Sequence, residues 1–222
     1  MMTVAIIDDN DETARTVGYA VEYAGFTPWI FTGPAQSVEA TVNKIKANAQ
    51  AAICDHRLRP LGLADFDGAE LAARLIGDHI PAILISQFVS QDYDVSIRRW
   101  RAFVPSLLSR DECRADTIKD ALELCRLEIS GEVVSGRRKH RTLLRIADMR
   151  SEGGESVIDA ILPAWNRQRA VRFPATLIPV QLHPELTTGA YLIAYVNLAA
   201  TRPEDLYFEN FEKPRPLDEQ NA

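Results

Sequence analysis

Between Thr3 and Ile129 short apolar runs alternate with longer amphipathic segments, the pattern of a parallel sheet covered by helices on both faces. The run over residues 3–7 is unbroken and rich in β-branched side chains, as a strand buried on both sides must be, and it stops at Asp8-Asp9. Ala14, Val17, Val21 and Ala24 then recur on one helical face until Gly25 ends it. Residues 27–31 read as the second strand, Val38, Val42 and Ile45 mark a second helix, and 51–54 form a third strand with Asp55 at its end. A loop rich in Pro and Gly leads to a helix at about 68–76 and a fourth strand at 81–85 that delivers Ser86. Residues 93–100 suit a helix and 102–105 a short fifth strand. In the last helix, 111–129, Ile118, Leu122, Cys125 and Ile129 fall in phase. Five strand-helix units are therefore complete by residue 130.

Past Gly131 the pattern changes. Residues 131–150 read as a basic linker, its Ser-Gly-Arg stretch at 135–141 running into a helix that ends near Met149. The run Ser151-Glu-Gly-Gly154 is a break, and 155–169 suits another helix, kinked at Pro163. Strand-like runs follow at 177–182, 190–198 and 206–211, so 151–212 reads as a small α+β module with Trp165, Tyr191, Tyr195, Tyr207 and Phe208 as its aromatic core. Residues 213–222 are polar, contain Pro, and read as a loose tail.

Composition narrows the class. Apolar residues at 46% with 25% charged residues suit a chain that fills a core, and no apolar run reaches the roughly 20 residues that span a bilayer. The acidic start, Asp8, Asp9, Asp11 and Glu12, is wrong for a signal peptide, so the expected location is the cytoplasm, with no membrane partner. Cys54, Cys113 and Cys125 are odd in number and lack paired metal-ligand spacing, and they read as reduced core thiols. His56 adjoins Asp55 but points to the opposite face of an extended strand and reads as packed or at the surface, and His79, His140 and His183 lack carboxylate or cysteine partners at metal spacing and read as structural. A net charge of −6 argues against a surface devoted to nucleic acid and makes proteins the default partners.

In an open parallel sheet the residues just past the strands' carboxyl ends gather in one crevice, where such folds bind ligands. Asp8, Asp9, Asp55 and Ser86 meet that condition. Three gathered carboxylates repel one another unless a cation intervenes, and an oxygen-only donor set suits Mg²⁺. Phosphoryl transfer needs the same parts: a carboxylate to attack phosphorus, a cation for the equatorial oxygens and a hydroxyl to hydrogen-bond one of them. Asp55 is the candidate nucleophile, with Ser86 beside it.

The motifs Ile6-Ile-Asp8-Asp9-Asn10, Ile53-Cys-Asp55, Asp67-Gly68 and Ile83-Leu-Ile-Ser86 resemble, in order over residues 1–130, those of response-regulator receiver domains of the CheY-like kind. The resemblance implies an α/β fold, a doubly wound five-stranded parallel sheet, flavodoxin-like, with strand order 2-1-3-4-5. It implies Mg²⁺ held by Asp8, Asp9 and Asp55, Asp55 as the phosphoacceptor of a histidine kinase in a two-component phosphorelay, Ser86 as the switch hydroxyl and Phe103 at the aromatic switch position. The family's lysine, three residues beyond that aromatic, is replaced by Ser106, followed by Leu107 in place of the usual proline. Arg110 and Arg57 are the candidate substitute cations, and the loop 57–66 is longer than the family norm.

The expected function is that of a response-regulator-like signalling protein whose receiver controls the C-terminal interaction module, at most catalysing its own phosphorylation. Expected partners are a kinase or other signalling protein, or a second copy of the chain. A pseudo-receiver adaptor is the first alternative. A DNA-binding transcriptional regulator is the second, resting on the basic run 137–145, although 155–222 carries no helix-turn-helix pattern.

Overall fold

A computed structural model describes residues 1–214, so the predicted tail at 213–222 lies almost wholly outside the described residues. The chain divides into two units. The first comprises Met1–Asp92 and Phe103–Val134; the second comprises Tyr93–Ala102 and the chain from Ser135 onward.

The first unit is a five-stranded parallel sheet of β1 (Thr3–Ile7), β2 (Thr27–Ile30), β3 (Ala51–Asp55), β4 (Ala82–Ser86) and β5 (Ser106–Ser109), in the order β2-β1-β3-β4-β5. This is the doubly wound order expected. Four helices accompany it, α1 (Asp11–Tyr23), α2 (Val38–Asn48), α3 (Gly68–Gly77) and α5 (Ala115–Ile129), with a single turn, α4 (Val89–Asp92), after β4. Alternation along the strands sends Val4, Ile6, Ile53, Ile83 and Ile85 to one face, where they pack with Ala14, Val17 and Val21 of α1 and Ile118 and Leu122 of α5. Ala5, Ile7, Cys54 and Leu84 point the other way and are equally buried, as are Val42 and Ile45 of α2 and Leu71 and Leu75 of α3. Asn10 starts α1 by accepting from the amides of Glu12 and Thr13, each at 3.0 Å, which fixes the turn that carries Asp8 and Asp9.

The fifth strand is displaced from its predicted place. Residues 101–103 form a turn and 104–105 lie outside the ladder, where Pro105 has no N–H to donate, and pairing begins only at Ser106, opposite Ile83. Ser106 thus opens the strand instead of ending it. The end is Ser109, opposite Ser86, and Arg110 follows at once.

The second unit departs further from its predicted elements. Its antiparallel sheet has the order β10-β9-β6-β7-β8, from β6 (His140–Glu152), β7 (Glu155–Leu162), β8 (Asn166–Pro174), β9 (Tyr191–Val196) and β10 (Phe208–Glu212). The helices predicted through Met149 and over 155–169 are β6, β7 and β8, and the run at 177–182 lies in short 3-10 turns. Gly153 and Gly154, both at positive φ (57° and 84°), form the two-residue turn that pairs Glu152 with Glu155. Leu144, Ile146, Ile158, Ala160, Phe173, Leu192 and Phe208 fill one face of the sheet. Tyr191, predicted in that core, is 52% exposed, whereas Phe173, Phe208 and Phe211 form the aromatic cluster, with Phe173 and Phe208 at 4.7 Å.

Tyr93–Ala102 belongs to this second unit and is tied to it by arginines. Arg98, fully buried, donates to the carbonyls of Pro203 (2.7 Å) and Leu206. Arg99 pairs with Glu155 at 2.7 Å and Arg101 with Asp205 at 2.9 Å. The basic run is built in likewise. Arg137 donates to the carbonyls of Arg101 and Ala102, Lys139 pairs with Glu209, and Arg141 with Glu212. No helix of the described residues is long and apolar enough to cross a membrane.

Candidate functional site

Three parallel strands end side by side, and their last residues bring together most of the predicted site. Asp8 and Asp9 follow β1, Asp55 ends β3 and Ser86 ends β4. Asp9, Asp55 and Ser86 line, with Asn10, Phe88 and Arg110, a cleft of about 290 Å³ that has Pro60 and Leu61 of the long loop on one side. That loop is pinned over the edge, since the Leu61 amide donates to Asp9 Oδ2 at 2.9 Å and the Ala35 amide to the Leu63 carbonyl at 2.8 Å. Opposite it, α3 begins so close to β3 that a Cβ on Gly68 would lie 1.7 Å from the Asp55 carbonyl oxygen. The Asp67-Gly68 pair therefore has a steric reason: only glycine lets this helix start against the backbone of Asp55.

The side chains of Asp8 and Asp55 are 0% and 4% exposed, and one guanidinium nitrogen serves both. Arg110 Nη2 lies 2.8 Å from Asp55 Oδ1 and 3.2 Å from Asp8 Oδ2. Each acid's other oxygen takes a backbone amide, Asn10 on Asp8 (2.9 Å) and Arg57 on Asp55 (2.8 Å). Burial raises the Asp8 carboxyl to about 6, against the lowering pull of the Asn10 amide, with the neighbouring Asp55 charge adding to the rise and Arg110 opposing it. Burial also raises Asp55, opposed chiefly by its hydrogen bond from Arg110. In the same site burial lowers the imidazole of His56, so it is held neutral and packed.

Ser86 belongs to a second ion pair. Its hydroxyl donates to Asp92 Oδ2 at 3.1 Å and accepts from the Phe88 amide at 3.0 Å. Arg57 grips the same carboxylate through two nitrogens, Nη2 to Oδ1 at 2.8 Å and Nε to Oδ2 at 3.1 Å, while its guanidinium lies 4.2 Å from the Phe88 ring centre.

Two predicted members are elsewhere. Phe103 precedes β5 and is 57% exposed on a turn, because the strand starts later than the sequence suggested. Ser106 is buried at the opposite end of β5, so it does not stand in the place of the family lysine. The cation beside the carboxylates comes from Arg110. Sequence reasoning named Arg110 only as one possible substitute, and it missed Asp92, for which no motif gave a signal.

Where the expected divalent cation would sit between Asp8 and Asp55, the structure places a guanidinium. Among the described residues no group of three or more His, Cys, Asp or Glu side chains is gathered closely enough to hold a metal ion. Asp8 and Asp55 converge on a guanidinium instead.

No protein-family model matches the chain, and no curated protein matches it either. Solved structures similar to it are response-regulator receiver domains. A putative response regulator from Chloroflexus aurantiacus J-10-fl is 22% identical, with 55% of this chain and 98% of that one covered and a TM-score of 0.41. A response regulator receiver domain protein from Clostridium thermocellum is 13% identical, covering 59% and 98%, at 0.44. The N-terminal domain of a response regulator/sensory box/GGDEF protein from Carboxydothermus hydrogenoformans is 16% identical, covering 58% and 98%, at 0.44.

Proposed function

We propose that this chain is a response-regulator-like signalling protein whose first unit accepts a phosphoryl group on Asp55 and thereby sets the state of the second unit. The observation that carries the reading is the meeting of a buried carboxylate, a hydroxyl and a guanidinium, from Asp55, Ser86 and Arg110, at adjacent strand ends on one open cleft. That set matches what phosphoryl transfer to a carboxylate needs. An Asp55 oxygen attacks phosphorus, the new O–P bond forms, and the bond to the leaving group breaks with its electron pair leaving on the donor. The donor class is a phosphohistidine of a kinase or a small acyl phosphate.

Control of the second unit is supported by the chain's own path. Ser86 and Arg57 hold Asp92, and the next ten residues, Tyr93–Ala102, are packed within the second unit. A phosphoryl group on Asp55 brings new acceptors for Ser86 and Arg57, in competition with Asp92.

A second reading, a receiver fold retained only as a docking scaffold, is favoured by the fact that both Asp55 oxygens already have donors. The test separates the two. Full-length protein is incubated with acetyl phosphate and its intact mass measured under acidic conditions. A gain of one phosphoryl group, reversed by base and abolished in Asp55→Asn, is the expected result. No gain with any phosphodonor leaves the scaffold reading.

A further inference from the structure

The cation between the two buried acids is a side chain. Asp8 and Asp55 are nearly inaccessible, and two buried like charges this close need a cation between them. A single nitrogen of Arg110 touches both. Three of the outward oxygens, Asp8 Oδ1, Asp55 Oδ2 and Asp9 Oδ2, already accept the amides of Asn10, Arg57 and Leu61. A metal ion there would share each of these oxygens with an N–H donor, and could sit between Asp8 and Asp55 only by displacing Arg110.

Arg110 is also well placed to remain. It sits one residue past the end of β5 in a tight turn, Arg110–Glu112, braced by Ser109, whose amide and hydroxyl both donate to Glu112 Oε2 at 2.8 and 3.0 Å. Arg57, the other guanidinium on the cleft, is engaged by Asp92 and by the Phe88 ring. Arg110 Nε is buried without a hydrogen-bond partner among the described residues, so it becomes a donor for an incoming oxygen once the side chain shifts toward the cleft. A guanidinium carries five such donors in a plane, enough to keep one acid while receiving a phosphoryl oxygen.

We infer that Arg110 is the pocket's resident cation, standing in place of a divalent metal between Asp8 and Asp55 and then binding the phosphoryl oxygens on Asp55, so that the site works without metal. This rests on the phosphoacceptor reading for its second half only.

Two measurements on the full-length chain test it. In the first, Mn²⁺ is titrated and the free ion followed by electron paramagnetic resonance, for the wild type, Arg110→Ala and Arg110→Ala with Asp8→Asn. The wild type is expected to show no specific site, Arg110→Ala to bind at least about tenfold more tightly, and the double variant to lose that gain. Wild-type binding as tight as that of Arg110→Ala overturns the inference, and so does an Arg110→Ala protein that binds no better than wild type. Arg110→Lys, which keeps the charge, serves as the folded control and should exclude Mn²⁺ as the wild type does.

In the second, acetyl phosphate is added with excess chelator. Adduct on the wild type and Arg110→Lys but not on Arg110→Ala supports the inference. Adduct that forms only with added metal overturns it while leaving Asp55 as phosphoacceptor. No Asp55-dependent adduct in either condition overturns the phosphoryl-binding half together with the phosphoacceptor reading, and the Mn²⁺ titration alone then decides metal exclusion.

Discussion

Replacing Asp8 with Asn should stabilise the first unit at neutral pH and do nothing of the kind in acid. The Asp8 carboxyl titrates at about 6 in the folded chain against an ordinary value of 3.8. The groups that face it are Asp55, Asp9, Arg110 and the Asn10 amide, and the value is the balance of all of them with burial, which is the largest influence. A rise of about two pKa units corresponds to about 3 kcal/mol of destabilisation once both states are ionised. The sign follows from linkage: between about pH 4 and 6 the folded protein keeps a proton that the unfolded chain releases, so stability falls as pH rises through that window and is level above it. The amide of Asp8→Asn removes this cost. It also turns an N–H toward Arg110 in place of an acceptor, losing a hydrogen bond of about 1 kcal/mol. A net gain of about 2 kcal/mol at pH 7.5, against a loss of about 1 kcal/mol near pH 4, is the expected pattern. Trp29 is the tryptophan of the first unit, since Trp100 and Trp165 lie in the second, so urea unfolding followed by fluorescence in a Trp100→Phe, Trp165→Phe background reads the right unit. A variant less stable than its parent at pH 7.5, or one shifted equally at both pH values, would refute the reasoning.

Other expectations rest on the same geometry. Gly68→Ala places a methyl group 1.7 Å from the Asp55 carbonyl oxygen and should destabilise the first unit by about 3 kcal/mol or more in the same unfolding assay; an unchanged midpoint would show that α3 slides freely at its start. If phosphorylation draws Ser86 and Arg57 away from Asp92, the amides of Gln91 and Asp92, both bonded to the Phe88 carbonyl, should exchange hydrogen faster after acetyl phosphate treatment and not in Asp55→Asn. Identical exchange with and without adduct would detach Asp92 from the switch.

The parts of the fold legible in the sequence were those where burial leaves one physical option. β1, β3 and β4 are covered on both faces, so Val4-Ala-Ile-Ile7, Ala51-Ala-Ile-Cys54 and Ala82-Ile-Leu-Ile85 read as continuous apolar runs, and the charge or hydroxyl that ends each is the site. β5 was misplaced by four residues because Phe103 and Val104 look more strand-like than Ser106-Leu-Leu-Ser109, while Pro105 decides where pairing can begin. Everything keyed to that strand moved with it, which is why Phe103 and Ser106 fell outside the pocket and Arg110 entered it. In the second unit Thr142, Leu144 and Ile146 do alternate inward, but outward Leu143 hides the period of two, and Leu, Arg, Ala and Met favour a helical reading. The hairpin at Gly153-Gly154 was legible as a break and not as a turn, since its strands had already been taken for helices. Arg98, Arg99 and Arg101 gave no warning of their destination, because Pro203, Glu155 and Asp205, which hold them in the second unit, lie more than 50 residues along the chain.

The two ion pairs of the cleft explain why a receiver-like pocket can tolerate a cation drawn from a turn instead of a strand. In the state described, both guanidinium groups are engaged by acids, Arg110 with Asp8 and Asp55, Arg57 with Asp92. Esterifying Asp55 on the proposed reading removes its charge from the carboxylate and moves a larger one outward onto the phosphoryl oxygens. The acceptors that Arg110 sees then shift toward the open cleft. A side chain that is 24% exposed and rooted in a 3-10 turn can follow them more easily than one fixed in the sheet. Arg57 and Ser86 face the same new acceptors, and each step they take toward Asp55 is a step away from Asp92. Asp92 directly precedes the segment clamped in the second unit by Arg98, Arg99 and Arg101, so on the proposed reading the competition for two arginines and one hydroxyl is the switch.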